Sequence, residues 1–155
     1  MESVSLNLYG HSNILENVRM FVNDKMKKIK ACLIIRNKAG ELLLQLRDEE
    51  PEIGKWVLFG GGVKCGETVE QALAREIKEE LGYEIKATDF FGEYGDNGIK
   101  QMIYILREPV ESSGLKLNEG AAMRFFAPAD IDGLAVGFNF KQILNDYFNR
   151  KQINL

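Results

Sequence analysis

The chain has 155 residues, of which 45% are hydrophobic and 28% charged, with 15 glycines and 3 prolines. These values indicate one folded domain and exclude a collagen, a disordered tail and a disulfide-dense scaffold. The formal net charge at pH 7 is −3, so the sequence lacks the basic surface that duplex nucleic acid requires of a partner.

The two cysteines and the lengths of the apolar runs narrow the class of protein further. Neither Cys32 nor Cys65 belongs to a CxxC or Cys/His cluster of the kind that holds zinc. Cys32 lies in an apolar run, where we expect it to pack as a small hydrophobic side chain. No apolar run approaches the length of a membrane-spanning helix, and the first residues lack the apolar core of a signal peptide. We therefore expect no membrane partner and a cytoplasmic location.

Residues 1–27 are predicted to form an extension ahead of the main domain, which covers residues 28–155. Alternating polar and apolar residues over 3–9 predict a short strand. Asn13 with Glu16 makes a capping-box start for a helix. Because this extension adds apolar surface beyond the core, it either packs on the domain or exchanges between two subunits of a homodimer.

The main domain is predicted to be built mostly from strands. The strands are predicted over residues 29–35, 41–47, 56–59, 85–94, 99–107 and 123–127. The helices are predicted over residues 67–81, ended by Gly82, and over residues 139–149. This order favours an α/β fold, a sandwich of helices on a mixed sheet.

The helix predicted over residues 67–81 directs some of its carboxylates inward. At about 100° per residue, Glu76 and Glu80 fall within roughly 20° of Val69, in the apolar stripe, and Glu79 falls on its flank. A buried carboxylate is costly unless compensated, and neighbouring carboxylates repel one another. A hard divalent cation such as Mg²⁺ would relieve both costs. The ordinary alternative is a solvated charged face.

Three consecutive glycines, Gly60, Gly61 and Gly62, precede this helix. Such a run allows a ligand to approach the backbone closely. In isolation a tight turn explains it equally well, but next to the carboxylate helix it favours a binding site.

Together the glycines and the helix resemble the Nudix box, the signature of the Nudix hydrolases. The pattern reads Gly61-x5-Glu67-x7-Arg75-Glu76-Ile77-x-Glu79-Glu80-x-Gly82. Every fixed position of the box is present, and the one departure is Tyr83, where an aliphatic residue is usual. With the order of the surrounding elements, the resemblance extends over roughly residues 28–150.

The resemblance implies the Nudix α/β/α sandwich and an enzyme that hydrolyses a nucleoside diphosphate linked to another group. It implies Mg²⁺ or Mn²⁺ as cofactor. The implied ligands are the three box glutamates and one backbone carbonyl: Glu76, Glu79 and Glu80, with Gly60 or Gly61. It further implies that Arg75 and Glu67 pair to brace the loop against the helix. Water would then attack one phosphorus of the pyrophosphate.

A general base is needed in addition. In some members of the family a glutamate from a late loop serves, and Glu119 stands in that place. In others a box glutamate serves, for which Glu79 is the candidate here. Glu93 and Glu111 are weaker candidates, and the alternative for Glu119 is an ordinary loop carboxylate.

Residues beyond the box favour a nucleoside triphosphate by elimination. Ile99 stands where ADP-ribose hydrolases often carry proline, and Lys100 and Gln101 stand where dinucleoside polyphosphate hydrolases often carry tyrosine. The chain is thus most similar to pyrophosphohydrolases that convert a nucleoside triphosphate to a monophosphate and pyrophosphate. A nucleotide sugar, a dinucleotide or a capped RNA end is the second alternative. A nucleotide-sensing domain without turnover is the third.

Candidates for substrate contact also lie outside the box. Arg47 ends a strand near the site and would hold a phosphate or remain a surface charge. Asn139 precedes the last helix, where it would read a base, as in some relatives, or cap the helix, which we favour. Phe59, like Trp56 and Phe125, would stack on a base or belong to the core.

Overall fold

The computed structural model describes residues 28–153. The predicted extension over residues 1–27, with its strand and helix, lies outside the described residues. The strands are β1 (Lys28–Ile34), β2 (Leu42–Leu46), β3 (Trp56–Val57), β4 (Phe59–Gly62), β5 (Thr88–Asp96), β6 (Ile99–Leu106) and β7 (Ala122–Phe126). The helices are α1 (Val69–Leu81), α2 (Pro128–Ile131) and α3 (Phe140–Ile153), with a 3₁₀ turn at Ser112–Gly114. No helix within residues 28–153 is long and apolar enough to cross a membrane.

The strands form two sheets, ordered β4-β1-β6-β5 and β3-β2-β7. The first sheet is mixed, because β1 runs parallel to β6 and antiparallel to β4. The second is antiparallel throughout. This confirms the predicted α/β class with a mixed sheet. The single strand predicted over residues 56–59 is in fact two: β3 joins the second sheet and β4 joins the first, with Leu58 between them.

Strand β1 is buried on both faces, which explains its continuous apolar sequence. Ala31 and Leu33 pack in the cluster that contains the apolar face of α1. Cys32 and Ile34 pack in the cluster that contains the apolar face of α3. The first sheet therefore lies between α1 and α3. Burial among these apolar side chains raises the pKa of the Cys32 thiol to about 12, so this cysteine packs as a hydrophobic residue, as predicted.

Helix α1 begins two residues later than predicted. The Thr68 side chain accepts the backbone N–H of Gln71, and the Gln71 side chain accepts the N–H of Thr68, which completes a capping box. The helix ends at Gly82, as predicted, with a left-handed φ of +61°. The later start leaves Glu67 ahead of the cap, where its carboxylate can turn back toward the helix.

Candidate active site

Helix α1 places Glu80 against β4, at the bottom of the site. Glu80 is only 6% exposed, and its Oε2 accepts a hydrogen bond from the backbone N–H of Gly60 at 2.9 Å. Burial, opposed by that hydrogen bond and reinforced by Glu76 and Glu119, raises the pKa of Glu80 to about 8. The inward orientation predicted for Glu80 is therefore confirmed.

The glycines lie in β4 rather than in a turn, and two of them are required there for different reasons. Gly60 has a φ of +140°, and a Cβ at this position would lie 2.0 Å from the carbonyl oxygen of Ala31 on β1. A Cβ on Gly61 would lie 2.3 Å from Cδ of Glu76. Gly60 thus allows two strands to approach closely, and Gly61 makes room for a carboxylate.

The predicted pairing of Arg75 with Glu67 is present in the structure. The Arg75 Nε and Nη2 atoms donate to the two carboxylate oxygens of Glu67 at 2.6 and 3.1 Å. Nη2 also donates to the carbonyl oxygen of Gly62 at 3.0 Å, and Nη1 donates to Glu76 at 2.8 Å. The Arg75 hydrogen bond and the N–H of Lys64 lower the pKa of Glu67 to about 2. One guanidinium therefore ties the loop, the strand and the helix together.

The third box glutamate, Glu79, is half exposed, and its Oε2 lies 3.4 Å from Nη1 of Arg75. Glu76 and Glu79 thus share Nη1 of Arg75, whereas Glu80 faces the backbone of Gly60. Within residues 28–153, no three His, Cys, Asp or Glu side chains lie close enough together to form a ready-made metal cage. The donor chemistry still fits Mg²⁺ or Mn²⁺, because carboxylate oxygens are hard ligands and Glu80 is a buried acid. The metal-binding roles remain predictions.

A cavity of about 460 Å³ opens over Glu80. It lies between α1, the end of β2 and the loop before β7, so Arg47, Glu80 and Glu119 all line the same cavity. The lining residues are Gln45, Arg47, Asp48, Glu49, Glu80, Asn118, Glu119 and Gly120. Carboxylates outnumber cations in this lining, so a phosphate would be repelled unless a cation accompanied it.

Arg47 lies at the cavity with part of its guanidinium already engaged. Its Nε donates to the carbonyl oxygen of Pro51 at 2.7 Å and its Nη2 to that of Glu50 at 3.4 Å. Its Cζ lies 5.6 Å from the ring centroid of Phe138. Within residues 28–153, Nη1 has no hydrogen-bond partner and remains available to a ligand.

The aromatic candidates belong to the core. Phe59 is fully buried in the α1 cluster, so it has no surface to offer a substrate and is left out of the proposed site. Trp56 packs edge-on against Phe126, with the ring centroids 4.7 Å apart. Phe125 packs against the α1 cluster from a partly buried position.

Asn139 lies outside the lining of this cavity. Its Nδ2 donates to the carbonyl oxygen of Gly95 at 3.2 Å, and its Oδ1 is buried without a partner among the described residues. The side chain therefore does not cap α3, and the favoured prediction of a cap was wrong. The weaker base candidates also lie outside the lining of this cavity. Glu93 pairs with Lys100, and Glu111 accepts the backbone N–H of Lys38.

Sequence reasoning missed five residues of the cavity lining: Gln45, Asp48, Glu49, Asn118 and Gly120. Two of them, Gln45 and Asn118, make hydrogen bonds that tie the loop of Glu119 to the rest of the site. Gln45 is only 6% exposed on β2 and donates from Nε2 to the carbonyl oxygen of Glu119 at 2.7 Å. Asn118 binds the end of α1 through its backbone and side chain. One signal was available: Gln45 is the single polar residue in the apolar strand Leu42–Leu46.

The fold and the site together define an α/β/α sandwich with an acidic cavity over a glutamate-bearing helix and a glycine strand. The model of the NUDIX domain family matches residues 26–145. The chain belongs to the NUDIX family, which confirms the resemblance drawn from the box.

Individual relatives agree with this assignment. Nucleoside triphosphatase NudI of Escherichia coli O81 (strain ED1a) is 35% identical over 102 residues, covering 57% of this chain and 72% of the relative. The protein of the same name from Escherichia coli O139:H28 (strain E24377A / ETEC) is 44% identical over 59 residues. That match covers 37% of this chain and less than half, 42%, of the relative.

Two solved structures share the fold over most of this chain. The MutT protein from Methanosarcina mazei Go1 superposes with a TM-score of 0.67 at 26% identity, covering 81% of this chain and 94% of that one. The NUDIX domain of Shewanella oneidensis NrtR, solved with ADP ribose, superposes with a TM-score of 0.70 at 18% identity, covering 90% and 97%. The second likeness concerns the fold alone.

Proposed function

We propose that this protein hydrolyses the pyrophosphate linkage of a nucleoside triphosphate, releasing a monophosphate and pyrophosphate with the help of Mg²⁺ or Mn²⁺. The observation that carries the proposal is the buried Glu80 carboxylate at an acidic cavity, beside Glu119. The names of the NudI relatives support a triphosphate as the substrate. The homodimer predicted from residues 1–27 is a separate hypothesis that this proposal does not require.

The ligands we assign to the divalent cation are carboxylates of α1, helped by one carbonyl of β4. They are Glu76, Glu79 and Glu80, with Gly60 or Gly61. When bound, the cation would neutralise charge that develops on the phosphate oxygens and orient the attacking water. The buried, like-charged surroundings of Glu80 fit this role, because they make its ionised form costly without a cation.

Glu119 is assigned the role of general base. It would accept a proton from the water whose oxygen attacks phosphorus, while the bond to the departing phosphate oxygen breaks. Its position in the same cavity as Glu80 supports this assignment. Glu79 is the alternative base, and its half-exposed carboxylate beside Arg75 leaves it able to move. Arg75 and Glu67 hold the helix and loop in place rather than react.

We assign two side chains, Arg47 and Asn139, to contacts with the substrate. Arg47 offers Nη1 to a phosphate at the cavity, although its other nitrogens already bind carbonyl oxygens. Asn139 is retained as a contact with a base because its side chain is only partly buried, but its amide already binds the carbonyl oxygen of Gly95. Contact between Asn139 and substrate is the less supported, because Asn139 does not line the cavity.

A hydrolysis screen tests the proposal. Nucleoside triphosphates, ADP-ribose, nucleotide sugars, dinucleotides and a capped RNA end are incubated with Mg²⁺ or Mn²⁺, and the products are separated. Glu80→Gln serves as the blank. Glu84→Gln is the matched control, since Glu84 is exposed and its ion pair among residues 28–153 is with Lys78. We expect monophosphate plus pyrophosphate from a triphosphate, lost in the blank and kept in the control.

The screen also separates the alternatives. Turnover of diphosphate conjugates alone would replace the triphosphate with a nucleotide sugar, dinucleotide or capped end. Nucleotide binding without turnover of any compound would contradict the enzyme and favour a sensing domain. Equal activity of Glu80→Gln and the wild-type protein would show that the assigned site is wrong.

A further inference from the structure

The loop that carries Glu119 completes the C-terminal end of α1. A helix leaves its last four carbonyl groups without intrahelical partners. Here the N–H of Gly82 binds the carbonyl oxygen of Lys78 at 3.0 Å, and the loop binds the other three. The loop contacts are Asn118 Nδ2 to Glu79 O at 3.0 Å, Asn118 N to Glu80 O at 2.8 Å and Lys116 N to Leu81 O at 2.9 Å.

Two of these contacts involve the backbone of the box glutamates themselves. Asn118, the residue before Glu119, is therefore hydrogen-bonded directly to the backbone of Glu79 and Glu80. A shift of the loop would break hydrogen bonds of the helix end, and a shift of the helix end would move the loop. The assigned base and the assigned metal ligands are thus parts of one hydrogen-bonded unit.

A second anchor holds the loop from the side of the sheet. The buried Gln45 side chain donates to the carbonyl oxygen of Glu119 itself at 2.7 Å. The N–H of Ala121 donates to the carbonyl oxygen of Leu46 at 2.9 Å, which joins the end of the loop to β2. Gly120 fits closely over Gln45, because a Cβ there would lie 2.6 Å from Nε2 of Gln45. The backbone of Glu119 is therefore held on both sides.

We propose that Gln45 and Asn118 are positioning residues that fix Glu119 relative to the glutamates of α1. The inference rests on the proposed function, in which Glu119 is the base. The side chain of Glu119 is exposed, so its own packing does not fix its position, and the two amides do so through the backbone. A misplacement of about 1 Å in a catalytic group costs up to roughly 100-fold in rate.

The test is a set of double mutants measured on the triphosphate that the screen identifies. Gln45→Met keeps the length of the side chain and removes the donor. Asn118→Ala removes a donor from an exposed residue, so it leaves no buried cavity. Each is made alone and in a Glu119→Gln background, and kcat, KM and the Mg²⁺ concentration for half-maximal rate are measured. Arg150→Met is the matched control, since Arg150 also donates to a backbone carbonyl, that of Phe91, at 2.7 Å.

We expect each single variant to lower kcat by roughly 10- to 100-fold, with KM and the Mg²⁺ requirement changed by less than about threefold. In the Glu119→Gln background neither substitution should lower kcat further, because the group that it positions is already gone. Arg150→Met should keep the wild-type kcat. A general structural defect would instead lower the rate by the same factor in both backgrounds.

The measurements distinguish a failure of the positioning role from a failure of the proposed function. Equal losses in both backgrounds, an unchanged kcat in the single variants, or a loss confined to KM would overturn the positioning role while leaving Glu119 as base. If Glu119→Gln itself keeps the wild-type kcat, the assignment of the base fails and the positioning role fails with it. A protein that turns over no triphosphate or other nucleotide overturns both.

Discussion

Two carboxylates at opposite ends of helix α1 have opposite surroundings: Glu67 lies just ahead of the helix cap, and Glu80 lies in the last turn. Both oxygens of Glu67 are bound by Arg75, and one of them also accepts the N–H of Lys64. Glu80 has one backbone N–H and, more weakly, the charge of Arg47, against burial and the charges of Glu76 and Glu119. The first carboxylate is compensated within the protein, and the second is not.

This difference separates a carboxylate that holds the backbone in shape, Glu67, from one that is free to bind a cation, Glu80. A carboxylate whose charge is fully met by a guanidinium has nothing left for a ligand, so it holds the backbone in shape. A buried carboxylate among like charges is unfavourable by itself and becomes favourable when a cation joins it. Substitutions at these two carboxylates and at their partners should therefore differ in the size and in the kind of their effect.

The largest effect is expected at the uncompensated end. Glu80→Gln keeps the shape and an acceptor for the N–H of Gly60 but removes the charge. Because metal stabilisation of transition-state charge is worth several kcal/mol, kcat should fall by roughly 1,000-fold. Circular dichroism should show an intact fold, with no loss of thermal stability at pH 8 without metal. A variant with near-wild-type kcat would contradict the assignment of Glu80 to the metal.

A smaller loss is expected when the contact between Arg75 and the compensated carboxylate, Glu67, is weakened. Arg75→Lys keeps the charge, but one ammonium cannot reproduce the two-pronged contact with Glu67 and the bonds to Gly62 and Glu76. The rate should fall by roughly 10- to 100-fold, as is typical when a residue that orients metal ligands is changed. Steady-state kinetics over a range of Mg²⁺ concentrations measures it. Full activity of the lysine variant would mean that charge alone suffices there.

Gly61, on strand β4, provides room for the carboxylate of Glu76 on the helix. In Gly61→Ala the new Cβ would lie within 2.6 Å of all three carboxylate atoms of Glu76, so the carboxylate must move. Since only the flexible end of a side chain shifts, the melting temperature should stay near that of the wild type, while Mn²⁺ affinity falls by about tenfold.

Gly62→Ala is the matched control for that substitution. A Cβ on Gly62 would have no atom within 4 Å, so Mn²⁺ affinity measured by calorimetry should not change. If both alanine variants bind Mn²⁺ like the wild-type protein, the position of Glu76 is not important for the metal.

The sequence predicted the direction of Glu80 and the partner of Glu67 better than it predicted the residues around them. The helical spacing was enough to place Glu80 inward, because a helix fixes the directions of its side chains over a few residues. The Arg75–Glu67 pair was implied by the box, and the structure contains it. These are local relations or parts of a known motif, and both can be read from one stretch of chain.

The parts that were not predicted depend on contacts between distant segments. The division of residues 56–59 into strands of two sheets depends on which partners each strand finds, and Gln45 meets Glu119 only after β2 and β7 have paired. The prediction of a cap by Asn139 relied on local propensity, but its amide binds Gly95 of a hairpin far away in sequence. Long-range hydrogen bonds of this kind leave little trace in a single sequence.

The last effect concerns stability rather than rate, and it tests the comparison most directly: it is the dependence of the free energy of unfolding on pH without metal. The pKa of Glu67 is lowered from 4.5 to about 2, so its stabilising contribution is present above about pH 4.5 and is lost as the pH falls toward 2. The pKa of Glu80 is raised from 4.5 to about 8, so its contribution is present below about pH 4.5 and is lost as the pH rises through 8.

Urea unfolding between pH 3 and 9 measures both slopes in one protein. We expect Glu80→Gln to remove only the decline between about pH 4.5 and 8, and Glu67→Gln to remove only the decline below about pH 4.5. Mg²⁺ should reverse the decline between about pH 4.5 and 8 in the wild-type protein, because a bound cation stabilises the ionised carboxylate in the folded state. A decline in this range that persists in Glu80→Gln would show that Glu80 is not an uncompensated acid, and the contrast with Glu67 would then need another cause.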